Sequence, residues 1–276
     1  MAQLDYFVVD VFTDQALQGN PLAVVMNPAM ENSALTTERM QAIAREFNLS
    51  ETTFVERRSP AVERAEGVRV RIFTTQEELP FAGHPTLGTA SILRMQAPET
   101  VLGGTVTLAL NVGPVPVRFE GNGLFAEMTQ RDPEFGPQLD RAMVARLLGL
   151  NLDDLDSASP PQIVSTGTAF AIVLLRSCEA LSRLNVRQQE ATAWLRERGA
   201  RWFYVLAPAE ETQQELAPHY RARMQFNGGE DPATGSAAGC AISYLTDVTQ
   251  SRSEGDAGEV RVRRSKTVAS SGSSAR

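Results

Sequence analysis

A chain of 276 residues can hold one large domain or two of ordinary size, and either can bury a real core. Its apolar fraction of 42% and charged fraction of 21% are those of a globular protein, and a net charge of −7 argues against nucleic-acid binding, which needs a basic face. Two cysteines, Cys178 and Cys240, give no disulfide framework and no metal spacing, and two histidines exclude a His-rich metal centre.

The N-terminus meets acids at Asp5 and Asp10, has no basic n-region and reads as a first strand, not a signal peptide. No apolar run approaches the ~20 residues that span a bilayer. The expectation is a cytoplasmic protein without a metal and without nucleic-acid or membrane partners.

In chain order, Leu4 to Phe12 is a β-rich strand, and the turn at Leu17-Gln18-Gly19-Asn20-Pro21 leads to a second strand over 22–26. From Thr36 to Phe47 the apolar residues Met40, Ile43, Ala44 and Phe47 follow helical spacing, with Thr36 or Thr37 as cap and Asn48 suited to end the helix. Strands are expected over 49–55 and 68–73. A helix over 85–95 carries Pro85 at its first position and almost no charge, which marks a helix buried on all sides. Residues 103–119 read as a hairpin.

The second half repeats the style. An amphipathic helix over 139–148 stops at Gly149, residues 163–175 are strand-rich, a helix covers 188–198, and 202–206 is a strand. A second small-residue helix covers 236–245. The fold class is α+β without strict βαβ alternation.

Two segments echo one another. Arg69, Arg71, Glu78, Pro80 and Gly83 match Arg221, Arg223, Glu230, Pro232 and Gly235 at one offset, 221 − 69 = 152. Each segment runs from a strand through a Pro/Gly turn into the small-residue helix, so two similar domains are expected. Helix starts offer unsatisfied N–H groups and partial positive charge, which makes Gly83-His84 and Gly235-Ser236 candidate anion holders. Glu51, His84 and Asp231 are the candidates for moving protons, with Ser236 as a donor. Singly, each has an ordinary structural reading: Glu51 as a strand-start carboxylate, His84 as a packed helix-start residue, Asp231 as a turn residue, Ser236 as a helix cap.

Together they stand in four motifs: Q-G-N-P-L-A-V-V (Gln18–Val25), N-L-S-E-T-T-F-V (Asn48–Val55), R-I-F-T-T-Q-E-E-L-P-F-A-G-H-P-T-L-G (Arg71–Gly88) and G-E-D-P-A-T-G-S-A-A-G (Gly229–Gly239). In order and spacing these resemble the PhzF-like (phenazine biosynthesis) isomerase family, across roughly residues 1–245. The resemblance implies a diaminopimelate-epimerase-like fold. That fold has two pseudo-symmetric domains, each a curled mixed sheet around a central apolar helix, with the active site in the cleft between them. It also implies isomerisation without a cofactor of a small, enolisable, carboxylate-bearing substrate, as in trans-2,3-dihydro-3-hydroxyanthranilate isomerase, by a protein that is usually a homodimer. Under the resemblance Glu51 transfers the proton, His84 and Asp231 assist as catalytic residues, and Gly83, Gly235 and Ser236 bind substrate.

Same-fold racemases use two cysteines, and the comparable positions here are Ala82 and Thr234, neither of which titrates usefully. Cys240 reads as core packing. The domains are expected at 1–118 and 119–250. After Asp247 the family's closing strands and its Q-G-x-x-x-G-R-P-S-like motif are missing, and a Ser/Arg-rich tail at 251–276 stands in their place, as a change of reading frame near residue 248 would produce. Two alternatives stay open: a same-fold epimerase or racemase using one carboxylate base, and a catalytically impaired binding or interaction protein.

Overall fold

The computed structural model describes residues 4–27, 35–121, 125–209, 220–226 and 229–252, in two units that divide between Gln130 and Arg131. The expected boundary at 118/119 therefore falls inside the last hairpin of the first unit. Most of the expected tail, residues 253–276, lies outside the described residues.

In the first unit, β1 (Asp5–Val11) and β2 (Asn20–Asn27) form an antiparallel pair, and β3 (Glu51–Glu56) adds to β2 in parallel after the crossover helix α1 (Thr37–Phe47). Thr36 caps α1 by accepting from the Arg39 amide, and Asn48 ends it in the left-handed conformation, as the sequence suggested. A short helix with no periodic signal in the sequence, α2 (Pro60–Glu66), is held by its buried Glu63, which accepts a bidentate pair from Arg57. Then come β4 (Val68–Phe73), the short β5 (Glu78–Leu79), the helix α3 (Gly83–Gln96) and the strands β6 (Thr105–Leu110), β7 (Gly113–Glu120) and β8 (Phe125–Met128). The sheet runs β1-β2-β3-β4-β6-β7-β8, with β5 paired to β4.

This sheet curls around α3, which touches β1, β2, β3, β6, β7 and β8. Its residues from Gly83 to Ala90, with Ile92 and Leu93, are all buried. Fully burying side chains such as Ile92 and Leu93 contributes about 1.5–3 kcal/mol each. The helix begins two residues before the expected start, so Pro85 is its third residue rather than its first, still within the turn whose N–H groups lack helical partners. Small residues let the strands come close. A Cβ on Gly88 would lie 2.7 Å from Leu22 Cδ2 and 2.9 Å from Val11 Cγ2. The opposite face of the sheet packs against α1 through Val25, Met40, Ala44, Phe54 and Phe73.

The second unit contains β9 (Glu134–Gln138), α4 (Arg141–Leu148), β10 (Gln162–Ser165), β11 (Ala169–Leu174), α5 (Cys178–Ser182), α6 (Gln188–Arg196), β12 (Trp202–Pro208), β13 (Tyr220–Phe226), β14 (Gly229–Asp231) and α7 (Gly235–Arg252). Its sheet runs β14-β13-β12-β11-β10-β9, with β11 and β12 parallel. One face packs on α4, α5 and α6 through residues such as Val144, Leu148, Leu181, Leu195 and Phe203. The other packs on α7 through Ala237, Cys240, Ala241 and Tyr244. The helix α7 runs past the expected end at Leu245, because no Gly or Pro between Thr246 and Arg252 stops it.

The 152-residue offset is structural as well as textual. The ribbon β4/β5 pairs Ile72 with Leu79 and Phe73 with Glu78, and the ribbon β13/β14 pairs Met224 with Asp231 and Gln225 with Glu230. In each, an arginine two residues before the glutamate's strand partner clamps that glutamate in two parallel hydrogen bonds. Arg71 meets Glu78 at 2.9 and 2.6 Å, and Arg223 meets Glu230 at 2.7 and 2.6 Å. Both carboxyls are thereby held below the usual range. The fold is α+β, with two mixed sheets and one central small-residue helix to each.

Candidate active site

In the first unit three elements bring Glu51 and His84 together. Leu22 of β2 stands beside Glu51 of β3 in the parallel register. Side chains alternate along strands, so Asn20 and Leu22 share a face, as do Glu51 and Thr53. That face looks onto α3. Thr53 bonds Thr89 of α3 hydroxyl to hydroxyl at 2.8 Å, and Leu22 packs where Gly88 leaves room.

His84, in the first turn of α3, consequently meets the leading ends of β2 and β3. Its Nε2 lies 3.5 Å from Glu51 Oε2, at the edge of hydrogen-bond range, and its Nδ1 lies 3.1 Å from the side-chain nitrogen of Asn20. The His84 ring is buried and the Glu51 side chain retains 14% exposure, so the carboxylate is the member of the pair within reach of a small molecule. Gly83 precedes His84 as the first residue of the helix, and neither α3 nor α7 carries an acidic residue in its first turn. The positive end of each helix dipole is thus not offset by its own side chains.

In the second unit Asp231 ends β14, buried, and accepts the Thr234 hydroxyl at 2.5 Å. Gly235 and Ser236 form the first turn of α7, with Ser236 also buried. Ser236 is inside the helix rather than its cap. The positions Ala82 and Thr234 are equivalent: the Ala82 carbonyl accepts from the Thr86 amide, and the Thr234 carbonyl from the Ala238 amide. Neither side chain is a thiol. Cys240 is fully buried, and desolvation pushes its thiol pKa up.

The structure therefore joins Glu51 to His84 in one unit and Asp231 to the start of α7 in the other. Two features went unassigned in the sequence. Asn20 lay in the quoted Q-G-N-P motif without a role, although a polar residue between Gly and Pro in a strand was its signal. The Arg–Glu clamps were visible as matched positions, but only the fold shows that they bond. Among the described residues no cluster of three or more His, Cys, Asp or Glu has metal-holding geometry, and no helix is long and apolar enough to cross a membrane.

A mixed sheet packed on a small-residue helix, once in each unit, is the architecture of a class of proteins with epimerase-like folds. The architecture resembles that of a hydroxyproline epimerase from Agrobacterium vitis, with a TM-score of 0.55 at 11% identity over 92% of this chain and 79% of that one, a likeness of fold alone. Within that class the chain belongs to the phenazine biosynthesis-like protein family, which matches residues 9–271. It is 35% identical over 246 residues to the trans-2,3-dihydro-3-hydroxyanthranilate isomerase of Pseudomonas aeruginosa, covering 87% of this chain and 79% of that one. The structure of a protein described as a predicted epimerase, also from P. aeruginosa, matches with a TM-score of 0.69 at 35% identity, covering 88% of this chain and 82% of that one. Family and relatives together support a PhzF-type isomerase.

Proposed function

We propose that the chain is a cofactor-independent isomerase that moves one proton between two carbons of a small, enolisable carboxylate, with Glu51 as the shuttle. The observation that carries this reading is the Glu51–His84 pair at the start of a buried helix. In the proposed cycle the Glu51 carboxylate takes a proton from an acidic carbon of the substrate. The electron pair left behind moves into the adjoining π-system, the double bond shifts, and the same Glu51 returns the proton to the far carbon. Atoms and charge balance with no other reactant.

Amides at Gly83 and Gly235 and the Ser236 hydroxyl hold the substrate carboxylate and the negative charge that develops during transfer. His84 keeps the Glu51 carboxylate oriented, and Asp231, aimed by Thr234, protonates or positions the substrate's polar group. In this reading the protein works as a cytoplasmic homodimer.

Trans-2,3-dihydro-3-hydroxyanthranilate, the molecule named for the P. aeruginosa relative, is the first compound to try. In D2O the protein should introduce some deuterium at the receiving carbon as the double bond migrates, to the extent that exchange on Glu51 competes with direct return of the abstracted proton. Glu51→Gln should lower turnover by about 10²–10⁴ while ligand binding persists. Normal turnover by that variant would remove Glu51 from the shuttle role.

A further inference from the structure

The Gly19-Asn20-Pro21 segment has no part in the proton transfer as described, yet its backbone is unusually constrained. Gly19 holds φ +104, and a Cβ there would lie 2.4 Å from the Val11 carbonyl oxygen, so only glycine fits. Pro21 restricts the residue before it to extended backbone. Asn20 itself pairs with Val11 in the β1/β2 ladder and is completely buried. Backbone constraint, strand pairing and burial all fix one side-chain amide, and its nitrogen lies 3.1 Å from His84 Nδ1.

An amide NH2 can only donate, so the ring nitrogen facing it must be the acceptor. We propose that Asn20 is a positioning residue that holds the neutral His84 ring in its Nε2–H tautomer. It rests on the Glu51–His84 reading above and extends it to a third residue. With Nδ1 occupied as an acceptor, the ring proton sits on Nε2 and points toward Glu51 Oε2, 3.5 Å away. The relay then runs from Asn20 at the start of β2, through His84 on α3, to Glu51 at the start of β3. His84 donates to the carboxylate and cannot take a proton from it without first giving up the Asn20 bond. The base is thereby aimed, and the proton it carries is kept for the substrate. The G-N-P motif is, on this account, the device that sets the tautomer.

The test needs no substrate. The chain has two histidines, so a His219→Gln background leaves His84 as the single imidazole. In 15N NMR of that full-length protein above the titration of the ring, Nδ1 should give the pyridine-type signal and Nε2 the pyrrole-type signal. A through-hydrogen-bond coupling should join Nδ1 to the Asn20 side-chain nitrogen. A protonated Nδ1 in this protein would overturn the proposal, as would a neutral Nδ1 with no coupling to Asn20.

Asn20→Asp keeps the shape and replaces the donor by an acceptor, so Nδ1 should become protonated. An unchanged ring signal in that variant would also overturn the proposal. Because Asn20→Asp could fail to fold, the wild-type coupling decides the matter alone. Where a substrate is in hand, Asn20→Asp should lose about 10²–10⁴ in turnover, the range for a misdirected acid–base group. A correct tautomer in a protein that isomerises nothing would refute the function and leave the role of Asn20 standing.

Discussion

Replacing Gly88 by alanine should destabilise the first unit, although alanine is much the better helix former. The new Cβ would lie 2.7 Å from Leu22 Cδ2, 2.9 Å from Val11 Cγ2 and 3.1 Å from Val9 Cγ2. All three neighbours are fully buried. A valine Cγ sits one bond from its Cβ on a paired strand, so Val11 and Val9 can yield only by changing rotamer or moving backbone. Leu22 can swing only into space its own neighbours fill.

Helix propensity favours alanine by about 1 kcal/mol, and overpacking a tight core costs about 1–3 kcal/mol. Contacts on two strands at once place this site toward the upper end, which leaves a net loss of roughly 1–2 kcal/mol. Thermal unfolding followed by circular dichroism should show a drop of roughly 3–8 °C. Ser91→Ala, on the half-buried flank of the same helix, is the control, and should melt at or slightly above wild type because it removes only a back-bond to the Leu87 carbonyl. If Gly88→Ala also melts at or above wild type, close approach of α3 to β1 and β2 is not what selects glycine there.

The Arg–Glu clamps give a pH signature. A carboxyl held below its usual range contributes stability that is full above its unfolded pKa of about 4.3 and is lost as pH falls through the lower folded value. Arg71→Met should therefore cost about 1–2 kcal/mol near neutrality in urea titrations, a value between those of exposed and buried pairs, and the gap to wild type should close below about pH 4. A gap that persists unchanged in acid would assign the loss to packing of Arg71 over the Phe73 ring instead. Thiol labelling of the native protein should modify half-buried Cys178 well before buried Cys240, and equal rates would contradict the desolvated environment of the latter.

Much of this molecule could be read in its sequence because local rules and tertiary packing agree. Thr36 and Asn48 mark both ends of α1, Val68–Phe73 alternates as it pairs, and the uncharged stretch after His84 is buried as its composition requires. The short α2 escaped because its stability comes from Arg57 gripping the buried Glu63, a tertiary pair with no periodic signal. The units divide after Gln130 rather than at 118/119 because β8, only four residues long, Phe125–Met128, pairs with β7 and packs on α3. Glu51 and His84 could be named from motifs. Their meeting depends on β2 and β3 lying parallel, and strand direction is set by the α1 crossover rather than by either motif.

The echo bears on stereochemistry through where its two copies differ. At matched positions the clamps Arg71–Glu78 and Arg223–Glu230 are alike, and so are the ribbon registers, so the copied part is the ribbon that leads into each central helix. Position by position, Leu79 answers to Asp231, Ala82 to Thr234 and His84 to Ser236. A reaction that removes a proton from one face of a carbon and returns it to the other needs two titrating groups on opposite sides, and equivalent helix starts would be the natural places for them. Moving a proton between two carbons on one face needs a single base, and Glu51 lies outside the repeated segment. With only 14% of that side chain exposed, the proton it carries should exchange slowly with water. A substrate deuterated at the donor carbon and turned over in H2O should therefore yield product with part of the label at the receiving carbon, on the same face, by mass spectrometry and NMR. Label delivered to the opposite face, or none retained even in a single turnover, would count against one shielded carboxylate and in favour of two acid–base groups.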